Sequence, residues 1–244
     1  MEPIADWAVY VVPPADHPLY EICASVLGWD CRREQPVERP RLPGISPETL
    51  ASWVGPAAHY GPHATIAGWM RTPLRHRDRI VAELAGIART FAPIHLERGR
   101  FPVPGDFWYA GSSPFPVLVA VFDEPLGALS AVHAEVLVRF NTLAVSRDDE
   151  ERRRLPVFNT RQRWRIGHYH EPLVLEDFRF HVSFATSLPS IDAADRLRRA
   201  IVDATGLFER REHCTWIADE LVLFERRPDG FWRLAEFFKL TGAS

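Results

Sequence analysis

The 244-residue chain carries a formal charge of −3, with 46% hydrophobic and 25% charged residues, which are ordinary values for a globular protein with a sizeable core. A pI of about 6.4 argues against the basic stripe that bulk nucleic-acid binding needs. No apolar run approaches the ~20 residues of a membrane span.

The N-terminus lacks the basic and apolar regions of a signal peptide, and Cys23, Cys31 and Cys214 form no CxxC pattern. Reduced thiols and a cytoplasmic location are expected. In chain order, "WAVYVVPP" (7–14) reads as a first strand ending at two prolines. Residues 17–29 show helical spacing at Leu19, Ile22, Cys23, Val26 and Leu27. A Pro-rich loop (32–47) leads to a short helix with Ser46 as N-cap and Pro47 in its first turn. "AHYGPHATIAGWM" (58–70) is a strand entered through a Tyr-Gly-Pro turn. Residues 75–91 form the clearest amphipathic helix, apolar at Ile80, Val81, Leu84, Ile87, Ala88 and Phe91. Two strands follow, "IHLERGRFPVPGDFWYAGSS" and "FPVLVAVFD", then a long helix over 126–141. Residues 144–177 are charged and irregular and read as an insertion or cap, with "DDEERRR" as a solvated run. A strand over 177–186, an amphipathic helix over 193–205 and a closing antiparallel pair around "RPDG" complete the chain. Neighbouring strands separated by helices argue an α+β fold with antiparallel sheets.

Alternation assigns faces in two of these strands. Phe178, Phe180, Val182 and Phe184 share one face, while Arg179, His181 and Ser183 share the other. Ala64 and Ile66 oppose His63 and Thr65 in the same way. Two strands therefore each present His-x-Thr or His-x-Ser on a polar face, and each is followed by a helix. A third match, His213 and Thr215, lies among charged residues and reads as a chance occurrence.

These motifs, with "YGPHATI", "TRQR" and "LVLEDFRFHVSF", resemble the two-histidine (2H) phosphoesterase superfamily, most closely a subfamily encoded beside bacterial phosphonate-utilisation genes. The resemblance spans nearly the whole chain. Where the subfamily tends to have Phe between Gly and His, this chain has Pro62, and "GHYHEP" replaces a Trp-Gly-Tyr-Pro pattern. The resemblance implies one bilobal, pseudo-symmetric domain over residues 1–244: two antiparallel sheets facing a central cleft, helices outside, and one motif from each lobe.

It also implies a metal-independent phosphodiesterase acting on a small cyclic phosphodiester, without a cofactor. His63 and His181 are the candidate acid–base pair, since hydrolysis needs one proton removed from water and one given to the leaving alkoxide. Thr65 and Ser183 are candidate donors to the phosphate oxygens. Arg161, with Gln162 beside it, and Arg179 are candidates for holding phosphate charge. Tyr10 and Tyr60 either line the cleft rim or pack in the core. Two other readings stay open: a non-catalytic nucleotide- or phosphonate-binding module, and a metallohydrolase using His168, His170 and Glu171.

Overall fold

The computed structural model describes residues 3–102, 116–124, 126–145 and 159–243. Strand β1 (Ile4–Val11) is apolar along most of its length because both of its faces are covered. Trp7, Val9 and Val11 enter the main core, whereas Ala8 and Tyr10 join a second cluster with Val222, Phe224 and Trp232. Helix α1 (Pro18–Leu27) starts where His17 Nδ1 accepts the Leu19 N–H at 3.1 Å, and it ends at Gly28 in the left-handed region, φ 78°. Strands β2 (Trp29–Asp30) and β3 (Gln35–Pro36) form a small separate ladder within the Pro-rich loop. Helix α2 (Pro47–Val54) has the expected cap: Ser46 accepts the Thr49 N–H at 3.2 Å.

Strand β4 (Ala64–Pro73) carries the first histidine motif at its start. Helix α3 (Arg77–Ala88) buries Ile80, Leu84, Ile87 and Ala88, the stripe set by the 3.6-residue period. Strands β5 (Ile94–Arg100) and β6 (Leu118–Asp123) follow, then α4 (Ala128–Asn141) and α5 (Thr160–Tyr169). Strand β7 (His181–Ala185) carries the second motif and is followed by α6 (Ile191–Thr205), capped by Ser190. Strands β8 (Trp216–Ala218), β9 (Glu220–Arg226) and β10 (Trp232–Lys239) close the chain.

The main sheet has eight strands in the order β10-β9-β1-β4-β7-β6-β5-β8, and every neighbouring pair is antiparallel. The two expected sheets are its four-stranded halves, joined through the pairing of Ala64 with Val182. The motif strands β4 and β7 thus lie side by side at the centre. Asp219 alone separates β8, at one end of this order, from β9, next to the other end. That link requires the sheet to curl so that its ends approach. Helices α3 and α4 pack on strands of the first half, and α1, α2 and α6 pack on the second.

The structure revises three readings. The stretch 160–169, irregular by its sequence pattern, is helix α5. Its polar sequence offers no apolar stripe to reveal it. Instead Asn159 and Gln162 form a reciprocal capping box, and the buried Arg165 side chain, 2% exposed, pairs with Asp177 and Glu176. The expected strand over "WIADELVLFER" breaks at Asp219, because its first three residues pair with β5 and the rest with β1 and β10. Residues 177–180 precede β7 rather than belonging to it, in a 3-10 turn over Leu175–Asp177 and an extended link. Residues 103–115 of the expected first strand pair, and the "DDEERRR" run, lie outside the described residues.

Candidate active site

The pairing of Ala64 with Val182 organises the site. These are the middle residues of the two motifs, and both are fully buried on the core face. Antiparallel register then sets His63 opposite Ser183 and Thr65 opposite His181, with all four side chains on the other face. Strand spacing makes the four Cα atoms a rectangle of about 5 by 7 Å. The histidines occupy one diagonal and the hydroxyls the other.

Both imidazoles are oriented by the same local contact. His63 Nδ1 lies 2.9 Å from the Gly61 carbonyl oxygen, and His181 Nδ1 lies 2.8 Å from that of Arg179. A carbonyl only accepts, so Nδ1–H donates in each case, and for His63, which lines the cleft, Nε2 is the nitrogen that faces it. The first of these contacts depends on glycine. Gly61 has φ +69°, and a Cβ there would stand 2.7 Å from Cys31 Cβ. His63 packs against Tyr10, ring centroids 4.1 Å apart, and against Tyr60 at 5.3 Å. This aromatic wall continues through Tyr60, stacked on Trp232 at 5.3 Å. Burial depresses the His63 pKa to about 4, opposed by the Gly61 carbonyl and reinforced by the nearby charge of His181. Burial lowers the His181 pKa as well, against the Arg179 carbonyl bond.

A cleft of about 500 Å³ is lined by His63, Thr65, Ser183, Tyr10, Tyr60 and Glu171, among others. Tyr10 pairs with Thr65 across β1 and β4, which puts its ring at the mouth of the motif. Beyond Thr65, β4 carries two extra residues relative to β1: Tyr10, Val9 and Trp7 pair with Thr65, Ala67 and Met70. These bulges shift the alternation, so that Ile66 and Ala67 both enter the core and Gly68 returns to the cleft.

Arg161, Gln162, Arg179 and His181 are not among the residues lining that cleft. Arg161 is 2.9 Å from Asp177 and 3.4 Å from Glu176, so its guanidinium anchors α5 to the segment before β7. Gln162 belongs to the capping box. Arg179 donates to the carbonyls of Glu176 and Phe178 at 2.8 and 2.7 Å. His213, the third motif match, is buried at the end of a 3-10 turn and bonds the Gly206 carbonyl. His168 stacks on Trp164 at 3.9 Å, apart from Glu171 in the cleft. Among the described residues no three His, Cys, Asp or Glu side chains gather as metal ligands.

Two residues go unmarked as cleft or supporting groups in the sequence pattern. Glu171 lines the cleft. His133, on the buried face of α4, ties strand β4 to the turn that leads into β7. Its Nδ1 is 2.5 Å from the Ile66 carbonyl oxygen, and its Nε2 accepts the Leu175 N–H at 3.0 Å. Leu175 has φ 58°, a strained value for a branched side chain, and His133 holds its amide. A histidine within the apolar stripe of Leu129, Val132, Val136 and Phe140 is the signal that marks it.

The family model described as "Protein of unknown function (DUF1045)" matches residues 70–231. Among curated proteins, the chain is 27% identical over 199 residues to ribose 1,5-bisphosphate phosphokinase PhnN from Janthinobacterium sp. (strain Marseille). That match covers 79% of this chain and 41% of the relative, so the chain spans about two fifths of the relative's length. Among solved structures, E. coli LigT complexed with NADP+ matches with a TM-score of 0.50 and 13% identity, over 98% of this chain and 99% of that one. TT0787 of Thermus thermophilus matches with a TM-score of 0.47 and 15% identity, over 98% and 100% of the two chains. The likeness to LigT establishes the 2H phosphoesterase fold implied by the two motifs. The chain therefore belongs to the DUF1045 family and carries its paired histidine strands on a 2H phosphoesterase fold.

Proposed function

We propose that the protein is a metal-independent phosphodiesterase that opens a small cyclic phosphodiester. The observation that carries this reading is the Ala64–Val182 register, which sets two imidazoles on one diagonal and two hydroxyls on the other. A phosphate seated between them has one Nε2 on each side of phosphorus, the arrangement an in-line displacement requires. His63 is the base. Its pKa of about 4 keeps it neutral, and its Nδ1–H bond to Gly61 leaves Nε2 able to accept the proton of an attacking water. His181 is the acid. A bound phosphate anion raises its pKa, and its Nε2–H protonates the departing ring oxygen. The water oxygen bonds to phosphorus, the ring P–O bond breaks, and a phosphomonoester with a new hydroxyl leaves. Thr65 and Ser183 donate to the non-bridging oxygens, and Tyr10 and Tyr60 exclude water beside His63. Arg161, Gln162 and Arg179 act from outside this cleft, by fixing α5 and the entry to β7.

The name of the partial relative supports a sugar phosphate as substrate. Opening a 5-phosphoribosyl 1,2-cyclic phosphate at its O2–phosphorus bond yields ribose 1,5-bisphosphate, the compound in that name. The reading thus places this chain one hydrolytic step before a sugar bisphosphate. The test is turnover of ribosyl 1,2-cyclic and nucleoside 2′,3′-cyclic phosphates by the wild-type protein with chelator present. Hydrolysis of the ribosyl compound supports the full reading. Binding without turnover of any panel member identifies a binding module instead.

A further inference from the structure

The cleft holds an acidic group that phosphate chemistry does not use. Among the described residues lining it, Glu171 is the only Asp, Glu, Lys or Arg. A carboxylate repels a phosphate and offers several acceptor sites, so a ligand group that approaches it in the cleft is a hydrogen-bond donor. The local backbone brings it there. Helix α5 ends at His170 in the left-handed region, φ 61°, and the next residue turns over β4. There the carboxylate lies across Gly68, where an added Cβ would stand 2.6 Å from Oε1. Gly68 reaches the cleft face through the β4 bulge, three residues past Thr65. At ~3.3 Å per residue, shortened by the bulge, that is roughly 7–10 Å from the phosphate seat, the span of a sugar ring beyond its phosphate. The Glu171 charge also reaches Tyr10, raising its pKa beyond the effect of burial and Tyr60, which places both at the same wall.

We propose that Glu171 is a specificity-determining residue: its carboxylate accepts a hydrogen bond from a free ring hydroxyl of the substrate sugar. This rests on the phosphodiesterase reading of the cleft. Gly68 is the positioning residue that makes room for it.

The test compares ribose 1,2-cyclic phosphate with its 3-deoxy and 5-deoxy counterparts on wild type, Glu171→Ala and Gly68→Ala. A hydrogen bond to a charged acceptor predicts a loss of about 10- to 100-fold in kcat/KM on the parent sugar for Glu171→Ala, carried by KM. On the 3-deoxy analogue, which lacks the one ring hydroxyl that the 1,2-cyclic phosphate leaves free, Glu171→Ala and wild type agree within about threefold, while the 5-deoxy analogue keeps the loss seen on the parent sugar. Gly68→Ala, which pushes the carboxylate aside, repeats the pattern. Equal losses on all three sugars, or none, overturn the assignment while leaving the phosphodiesterase reading intact. Wild-type inertness toward every cyclic phosphate overturns both.

Discussion

His133 is the residue whose removal tests how the two motif strands are held. It is 3% exposed, donates to the Ile66 carbonyl of β4 and accepts the Leu175 N–H ahead of β7. Its ring also stacks on Phe178, centroids 4.2 Å apart and planes at 11°. His133→Ala leaves a buried carbonyl and a buried N–H without these partners, each costing about 1–3 kcal/mol, and removes the stacked ring. The expected loss of stability is about 3–5 kcal/mol, the scale of an aromatic truncation in a core. Urea denaturation of wild type and variant measures it. His133→Gln, whose amide both donates and accepts, recovers part of the loss. The pH dependence gives an independent handle. Burial lowers the His133 pKa from its ordinary 6.5, so between the folded and unfolded values only the unfolded chain is protonated there. Stability from this group is complete above pH 6.5 and is lost as pH falls through the folded value. The alanine variant loses that component of the acid sensitivity. A loss under about 0.5 kcal/mol, the scale of a neutral surface change, with unchanged kcat would falsify the view that this histidine couples the strands.

Gly61→Ala forces a Cβ toward Cys31 at a positive φ and displaces the carbonyl that orients His63. It lowers kcat at least about tenfold with the helical circular-dichroism signal retained, and wild-type kinetics in a folded variant contradict the role. Asp177→Ala removes a carboxylate from buried Arg165 and from Arg161. The expected destabilisation is about 3 kcal/mol, read from the urea midpoint, and a change below about 1 kcal/mol refutes the pairing as an anchor. The kcat/KM profile is bell-shaped and peaks on the acid side of pH 6.5, because both histidine pKa values are lowered in the free protein. The acidic limb follows protonation of His63 near pH 4, and the basic limb follows loss of the His181 proton. A rate that rises to a plateau at high pH excludes the acid–base pair.

The motif faces are legible because strand alternation is a local property. Ala64, Ile66, Val182 and Phe184 are fully buried, as the pattern of two requires. The helices with apolar stripes and Ser46 as N-cap are legible for the same reason. What local pattern cannot carry is the partner of a strand. That Ala64 meets Val182, and that the final hairpin returns to pair with β1, are long-range choices decided by packing. Charge alone places Arg161 and Arg179 at the phosphate, yet Asp177, Glu176 and backbone carbonyls engage them first. The sequence neighbours of Glu171 suggest a metal ligand. The left-handed turn at His170, invisible in composition, sends it to the cleft instead.

The most direct measurement of the central claim is single-turnover hydrolysis of the best cyclic phosphodiester by wild type, His63→Ala, His181→Ala and the double variant. Two imidazoles serving one displacement predict losses of about 10²–10⁴-fold for each single variant. They also predict a double variant little worse than either, because both act in the same step. Hydrolysis that survives in the double variant, or falls in one single variant alone, contradicts the paired site.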